Sequence, residues 1–312
     1  GGGTGLSTML KGIKKITNNI TAVVTVGDDG GSSGRLREEM GILPPGDIRN
    51  CIAALADDED LVTKLFQYRF KTGEGLEGHS FGNLFLTAMC SITGDMVRAV
   101  RESSKVLSIR GRVLPSTLDD MRLVAELEDG TIVKGESNIP ETGKKIVRLF
   151  TEPADCHPLP EIIHAINDAD LIIMGPGSLF TSVIPNLLIK EISKAVSMSK
   201  AKKIYVCNIM TQPGETTDFT AYDHVKALLD HAVYPNMLDA VMVNDSIPDD
   251  LNEDYKNSNS FPVVIDAEKI KKLGIKVVST RLYEENDQKY VRHSPRRLAR
   301  AIYYWYRKQI KH

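Results

Sequence analysis

A glycine-rich loop at residues 1–5, GGGTG, leads directly into a stretch whose apolar residues recur at helical spacing. That stretch, residues 4–16, predicts an amphipathic helix. The β-branched run ITAVVTV follows at residues 20–26 and predicts a short buried strand of a parallel sheet. Because such a loop normally joins a strand to a helix, we expect a first strand ahead of Gly1.

Strands and helices alternate again in the second half of the chain. Short strands separated by helices of about 10–15 residues are typical of a parallel sheet. We therefore predict an α/β fold, with a Rossmann-like, doubly wound, mostly parallel sheet and helices on both faces. Strands are expected at residues 171–175, 203–208, 238–244, 261–265 and 275–282, and a run of helices at residues 47–110.

An antiparallel hairpin is predicted in the middle of the chain. Residues 121–138 alternate apolar and polar positions around Asp129-Gly130, a pair that suits the positive φ angles of a tight turn. We place a β-hairpin insertion at about residues 111–150. The sequence contains no repeat or low-complexity linker, so we expect one domain over residues 1–312, with its first strand missing from this chain.

The composition excludes several classes of protein. A net charge of −2 offers no basic field for nucleic acid, and no apolar run approaches the ~20 residues that cross a bilayer. The four cysteines lie far apart, which argues against a zinc site or a disulfide framework and favours a reducing compartment. We expect a cytoplasmic protein with no nucleic-acid partner and no membrane insertion.

The loops that follow the predicted strands should carry the function, because ligands of open parallel sheets bind at the carboxyl ends of the strands. Residues 1–5 and 175–178 are rich in glycine and serine and lead into helices. Such loops present free backbone N–H groups and a positive helix end, which favours a phosphate. The alternative for residues 1–5 is a simple tight turn.

Three common activities fit the sequence poorly. GGGTG departs from the G-x-G-x-x-G pattern, and no single acidic residue ends the strand at 20–26, so a nicotinamide-linked oxidoreductase is not favoured. No Gly-Lys-Ser/Thr follows the loop, as a P-loop ATPase requires. No Ser/His/Asp set has the spacing of a serine hydrolase.

The loop at residues 27–37, GDDGGSSGRLR, places Asp28 and Asp29 side by side. Mg²⁺ accepts one or two carboxylates and completes its shell with substrate phosphates, so this pair is a candidate metal site and a candidate catalytic pair. The alternative is a solvated Asp-Gly turn. Arg35 and Arg37 could hold phosphate oxygens with their guanidinium groups, or they could face solvent.

Two further motifs open predicted helices. In PPGDIRN, Asp47 is either an N-cap or a ligand contact, and Asn50 lies one turn further on. In GHSFGN, His79 is either a packing residue or a phosphate donor or acid/base group, and Asn83 belongs to the same motif. Both pairs are candidate ligand-binding residues.

The sequence as a whole resembles the gluconeogenesis factor (YvcK-like) family, within the superfamily of the 2-phospho-L-lactate transferase (CofD-like). The resemblance covers nearly the whole chain. It rests on six motifs in order: GGGTGLSTML, TVGDDGGSSGRLR, PPGDIRNC, GHSFGNLFL, MGPGSLFTSVIPNLL and CNIMTQPGET.

The resemblance implies roles for the residues of those motifs and of the last predicted strand. It implies that one loop holds a diphosphate, a second loop holds the other phosphate region, a third group faces the nucleoside or sugar, and one arginine neutralises the diphosphate. In that order, these are Gly2, Gly3, Thr4 and Gly5; Gly175, Gly177 and Ser178; Asn208, Thr211, Gln212 and Glu215; and Arg292.

The family also suggests a function. The gluconeogenesis-factor branch implies a regulatory protein that binds UDP-N-acetylglucosamine and supports cell shape and envelope synthesis during gluconeogenic growth. The alternative is a Mg²⁺-dependent phosphotransferase related to 2-phospho-L-lactate transferase, so the chain is either a non-enzymatic binding protein or a transferase of phosphorus-containing groups. Envelope-synthesis proteins and a second copy of the chain are the partners left open.

Overall fold

Parallel strands flanked by helices form most of the protein, as a computed structural model of the chain shows. The structure describes residues 1–57, 59–247, 253–285 and 290–310. Its α-helices are α1 (Gly3–Ile13), α2 (Gly31–Met40), α3 (Gly46–Leu55), α4 (Glu59–Gln67), α5 (Phe81–Thr93), α6 (Met96–Val106), α7 (Asn138–Glu141), α8 (Pro160–Asn167), α9 (Ile184–Leu188), α10 (Lys190–Met198), α11 (Ala221–His231), α12 (Glu253–Asn257), α13 (Ala267–Lys272) and α14 (Pro295–Gln309), and a π-helix (Leu179–Val183) leads into α9. Its strands are β1 (Thr21–Val24), β2 (Arg112–Pro115), β3 (Arg122–Leu127), β4 (Ile132–Lys134), β5 (Ile146–Glu152), β6 (Leu171–Met174), β7 (Lys202–Val206), β8 (Ala240–Asn244), β9 (Lys276–Thr280), β10 (Tyr283–Glu285) and β11 (Val291–His293).

The largest sheet is parallel and has the order β6-β7-β8-β9, and β1 pairs with β2 in a second parallel sheet. Every residue of β8 is buried, which explains why residues 240–243 are continuously apolar rather than alternating. The predicted α/β fold with parallel strands is therefore confirmed.

The free edge of β1 carries a backbone pairing with the start of the chain. The Gly1 amino group donates to the Val23 carbonyl at 2.9 Å, and the Thr25 N–H donates to the Gly1 carbonyl at 2.9 Å. This is the bonding pattern of one residue in a parallel ladder. It fits the strand expected ahead of Gly1, which stays a prediction, as does the single-domain organisation.

The insertion is a three-stranded antiparallel sheet in the order β4-β3-β5. Its turn falls at Asp129-Gly130 as predicted, with Gly130 at φ +79°. The antiparallel unit spans residues 122–152 and begins later than the predicted 111, because β2 pairs in parallel with β1 and belongs to the main fold.

One predicted strand, residues 261–265, is wrong. The segment forms an isolated bridge between Pro262 and Met210 and not a strand, although the Val263 N–H donates to the Ile209 carbonyl and the Phe261 carbonyl accepts the Thr211 N–H. Proline donates no backbone hydrogen bond, and this interrupts the ladder that the apolar run suggested.

One hydrophobic cluster joins the two parallel sheets and their helices. Helix α1 packs against both α3 and α14. Its contact with α14 is so close that a β carbon on Gly12 would overlap the Pro295 carbonyl. Among the described helices, none is long and apolar enough to cross a membrane.

Truncation of the core under α3 should cost much more stability than truncation at the surface. Ile52 is fully buried, so Ile52→Ala should lower the free energy of unfolding by about 3 kcal/mol, through lost transfer energy and a residual cavity. Ile92 on α5 is 78% exposed, and Ile92→Ala should change the free energy by less than about 0.5 kcal/mol. Urea denaturation of both variants tests this, and equal losses would contradict the assignment of the core.

Candidate functional site

The first turn of α1 presents free backbone donors. Gly2 is extended ahead of the helix, and the Asp47 carboxylate accepts the Gly3 N–H. The N–H groups of Thr4 and Gly5 donate to no group in the described part of the chain, as is normal for the first turn of a helix. This end of the helix can therefore receive an anion.

The second glycine loop lies directly against the first. A β carbon on Gly5 would come within 2.5 Å of the Pro176 carbonyl oxygen and 2.7 Å of the Gly177 nitrogen. At Gly175, φ is +72° and a β carbon would lie 2.7 Å from the Val206 carbonyl. Glycine is required at both positions, and the two predicted phosphate loops are brought together.

Two amide side chains support the second loop from below. Asn208 accepts the Gly177 N–H at 3.3 Å and donates to the Gln212 carbonyl oxygen at 2.9 Å. Gln212 in turn donates to the Ser178 hydroxyl at 2.8 Å. These three residues, which the sequence placed against the ligand, form a chain that holds the shape of the loop. Their contact with a ligand stays a prediction.

Glu215 and Thr211 also lie beneath the loops. The buried Glu215 carboxylate accepts the Phe180 N–H at 3.2 Å and the Thr181 hydroxyl at 3.1 Å. Burial raises its pKa. The Thr211 hydroxyl accepts the Phe261 N–H at 2.9 Å. In the structure, both side chains fix neighbouring backbone, and neither projects freely into the cleft.

Acidic side chains gather beside the first turn of α1. Burial and, next, the charge of Asp28 raise the pKa of Asp47 to about 6. Burial, followed by the charges of Asp28 and Glu215, raises the pKa of Glu136 to about 8. The ligand edge thus carries more carboxyl groups than Asp28 and Asp29 alone predicted, and burial favours their protonated forms.

The two adjacent aspartates have different positions. Asp29 accepts the N–H groups of Glu136 and Ser137 at 3.0 and 2.9 Å, and so ties the loop to the insertion. Asp28 accepts the Gly30 N–H and turns toward α3, where Asp47 lies. The acidic pair that shares one environment is therefore Asp28 and Asp47.

The described residues include no group of three or more His, Cys, Asp or Glu side chains arranged to hold a metal ion. Mg²⁺ is commonly held by one or two carboxylates with phosphate oxygens of the ligand. Asp28 and Asp47 fit that mode better than Asp28 and Asp29, because both Asp29 oxygens already accept backbone N–H groups.

A buried polar network organises the two helix-opening motifs. Arg49 donates to Asn83 at 3.1 Å and to Asn50 at 2.9 Å. Asn83 donates to the Ser32 hydroxyl at 3.0 Å, and Ser32 lies 3.0 Å from His79 Nδ1. The candidates Asn50, His79 and Asn83 are thus brought together, but as members of a network that joins α2, α3 and α5.

Arg37 has a structural position, so neither alternative given for it, a phosphate contact or a solvent-facing side chain, describes this residue. The side chain is 3% exposed and donates to the Asp120 carboxylate and to the Met121 carbonyl at 2.7 Å. It also donates to the carbonyls of Val26 and Asp28. Arg37 holds the loop after β1 in place.

Arg292 lies on β11, opposite Glu284 on β10, and its side chain is exposed. The next residue, His293, is hydrogen-bonded to the backbone of Cys207, and burial lowers its pKa to about 4. Because Cys207 precedes Asn208, this contact joins the last strand to the loop after β7. Because side chains alternate along a strand, this contact of His293 does not fix where Arg292 points, and contact of Arg292 with an anion stays a prediction.

Two residues of the site were not predicted. Glu136 follows the insertion hairpin, and only the tertiary contact through Asp29 brings it to the cleft. Arg49 stands in the PPGDIRN motif, where a cation between Asp47 and Asn50 was a signal that could have been used.

Parallel strands with glycine loops at their carboxyl ends, backed by free helix N–H groups, define a Rossmann-like α/β protein with an anion-receiving edge. The chain belongs to the 2-phospho-L-lactate transferase CofD family, whose model matches residues 1–283.

Close relatives carry the name gluconeogenesis factor. A putative gluconeogenesis factor from Nostoc sp. is 55% identical over 98% of this chain and 67% of its own length. The gluconeogenesis factor of Bacillus subtilis is 52% identical over 97% of this chain and 95% of its own. A crystal structure of a UPF0052 family protein from Bacillus halodurans superposes with a TM-score of 0.92 at 49% identity, covering 97% of this chain and 96% of that one.

The raised pKa of Glu136 gives a pH dependence of stability. The folded protein binds the Glu136 proton more tightly than the unfolded chain does. The protein therefore loses stability as pH rises from the ordinary carboxyl pKa of 4.5 towards the folded pKa of about 8. Since the half-buried side chain is partly screened by solvent, Glu136→Gln should stabilise the protein by about 1–2 kcal/mol at pH 8 and little at pH 5. Urea denaturation at both pH values, with EDTA present to remove divalent cations, tests this. Glu141→Gln, at an exposed position, is the control. An equal effect of Glu136→Gln at both pH values would contradict the prediction.

Proposed function

We propose that this protein binds a nucleotide sugar, UDP-N-acetylglucosamine, and acts as a cytoplasmic regulator of envelope precursor supply in gluconeogenic growth. The family relationship supports the gluconeogenesis-factor part of the proposal. One structural observation carries the ligand class: two glycine loops are in backbone contact at Gly5 and Gly177. Two adjacent loops of this kind match the two phosphates of a diphosphate.

The surrounding side chains favour binding over catalysis. Glu215 and His79, two residues near the loops that could act as an acid or base, each hold other parts of the structure in place. A general base must reach the proton that it removes. A rigid receptor whose polar groups are already paired supports recognition of a ligand, with envelope-synthesis proteins as expected partners.

The diphosphate can be tested through the exposed side chain of Thr4. Thr4→Glu places a negative charge in the first turn of α1, where the diphosphate is expected, and should weaken UDP-N-acetylglucosamine binding at least about tenfold. Thr4→Gln is a neutral control of the same size and should bind as the parent does. Titration calorimetry measures both, and equal affinity of the two variants would remove the diphosphate from α1.

Arg292 is the expected counter-charge. Arg292→Ala should weaken UDP-N-acetylglucosamine binding by about 2 kcal/mol, the size of a lost charge-assisted contact. Arg296 is also exposed and lies close by in the sequence, at the start of α14. Arg296→Ala is therefore a matched control for the lost charge. If the two variants lose the same affinity, Arg292 affects binding only through the net charge of the protein and not through a direct contact.

A second candidate function is a Mg²⁺-dependent transferase of phosphorus-containing groups, as the family model's description suggests. The shared environment of Asp28 and Asp47 favours it, because a cation there would neutralise both carboxylates and bridge to a diphosphate. In that case Asp47→Asn should abolish Mg²⁺-dependent binding of GDP in calorimetry. Asp29→Asn, which alters only the ties to the insertion, should retain it. Binding of GDP to the parent protein without Mg²⁺ would oppose this candidate.

A further inference from the structure

Three arginines donate to the loop that opens α5. Arg35 from α2 donates to the Glu77 carbonyl at 2.9 Å, and Arg69 donates to the Gly78 carbonyl. Arg49 from α3 donates to the Ser80 hydroxyl at 2.5 Å. Each guanidinium carries five N–H donors, so donors remain on Arg35 and Arg69 after these bonds.

No carboxylate in the described part of the chain forms an ion pair with these three arginines. Glu39 is the acidic residue whose charge reaches His79, and it is opposed by Arg35 and Arg69. The negative charges of Asp47 and Asp28 partly stabilise the positive charge of Arg49. The loop before α5 thus gathers cationic groups that the neighbouring acids compensate only in part.

The buried network fixes the direction of its hydrogen bonds. Arg49 is always a donor, so the Asn83 atom that it contacts is the carbonyl oxygen. The Asn83 amide nitrogen therefore faces Ser32 and donates to its hydroxyl oxygen. The Ser32 hydroxyl has no other acceptor among the described residues, so its proton goes to Nδ1 of His79.

His79 consequently carries its proton on Nε2, on the opposite side of the ring from Ser32. The residue is 3% exposed, and no described residue accepts a hydrogen bond from Nε2. Burial, Arg35 and Arg69 all lower the pKa of this ring. The lowered pKa favours the neutral ring, whose Nδ1 accepts the Ser32 hydroxyl. The side chains of Arg35, Arg69 and His79 thus offer hydrogen-bond donors at this loop.

We propose that Arg35, Arg69 and His79 form a second anion site, for the phosphate group of a small metabolite distinct from the nucleotide sugar. Guanidinium groups bind phosphate in bidentate fashion, and a neutral imidazole N–H adds a directed donor. The N-terminal end of α5, thirteen residues long, contributes its positive dipole. The site does not depend on the proposed function, because none of its groups belongs to the glycine loops.

Inorganic phosphate is the probe for this site. The full chain carrying Thr4→Glu is titrated with phosphate by calorimetry at pH 7.5, because that variant closes the α1 loop to anions. One phosphate should bind, and Arg69→Ala or Arg35→Ala in this background should each weaken it about tenfold. Arg98→Ala, which removes an exposed arginine of α6, is the control and should leave it unchanged.

His79 gives a test that separates direct contact from a structural role. His79→Gln retains a side-chain N–H donor and should keep most of the phosphate affinity, whereas His79→Phe should lose it, with circular dichroism confirming that both variants are folded. The site is overturned if phosphate fails to bind in the Thr4→Glu background, or if the Arg35→Ala/Arg69→Ala double variant binds as tightly as its parent. If Thr4→Glu leaves UDP-N-acetylglucosamine binding intact, the diphosphate proposal fails. The arginine variants then still decide whether phosphate binds at this second site.

Discussion

The contact between Gly5 and the backbone at Pro176 and Gly177 is the constraint on which the site depends. It joins the first turn of α1 to the loop after β6, so the two parallel parts of the fold meet where their ligand-facing loops begin. A β carbon at Gly5 would separate these loops by overlapping the Pro176 carbonyl. The chain of Asn208, Gln212 and Ser178 then keeps the second loop in the shape that this contact requires.

The acidic groups near this contact impose an energetic condition on function. Asp47 and Glu136 have raised pKa values because burial and neighbouring carboxylates make their charged forms costly. A diphosphate that approaches α1 would meet this negative charge as well as the free N–H groups of Thr4 and Gly5. Protonation of these carboxyls or a bound cation would relieve the repulsion. Anion binding at this edge should therefore be coupled to pH or to Mg²⁺.

Local sequence patterns predicted the elements of the fold and left the tertiary roles open. The parallel strands and the turn at Asp129-Gly130 follow from periodicity and turn chemistry. Residues 261–265 looked equally strand-like, but Pro262 removed a ladder donor. The structure brings the two predicted glycine loops together, and the binding of a ligand there stays a prediction. Which side chains face a ligand could not be read from them, because Asp29, Arg37 and Glu215 find their partners about 35 to 108 residues away in the chain.

The buried network that engages Asn83 also orients His79. A relay that begins at a permanent donor, Arg49, can run in only one direction, so it ends with an N–H group rather than an acceptor. The cleft therefore has donors at both ends, with Asp28 and Asp47 between them. If both proposed anion sites are occupied, a cation near Asp28 and Asp47 would lower the repulsion between the two ligands.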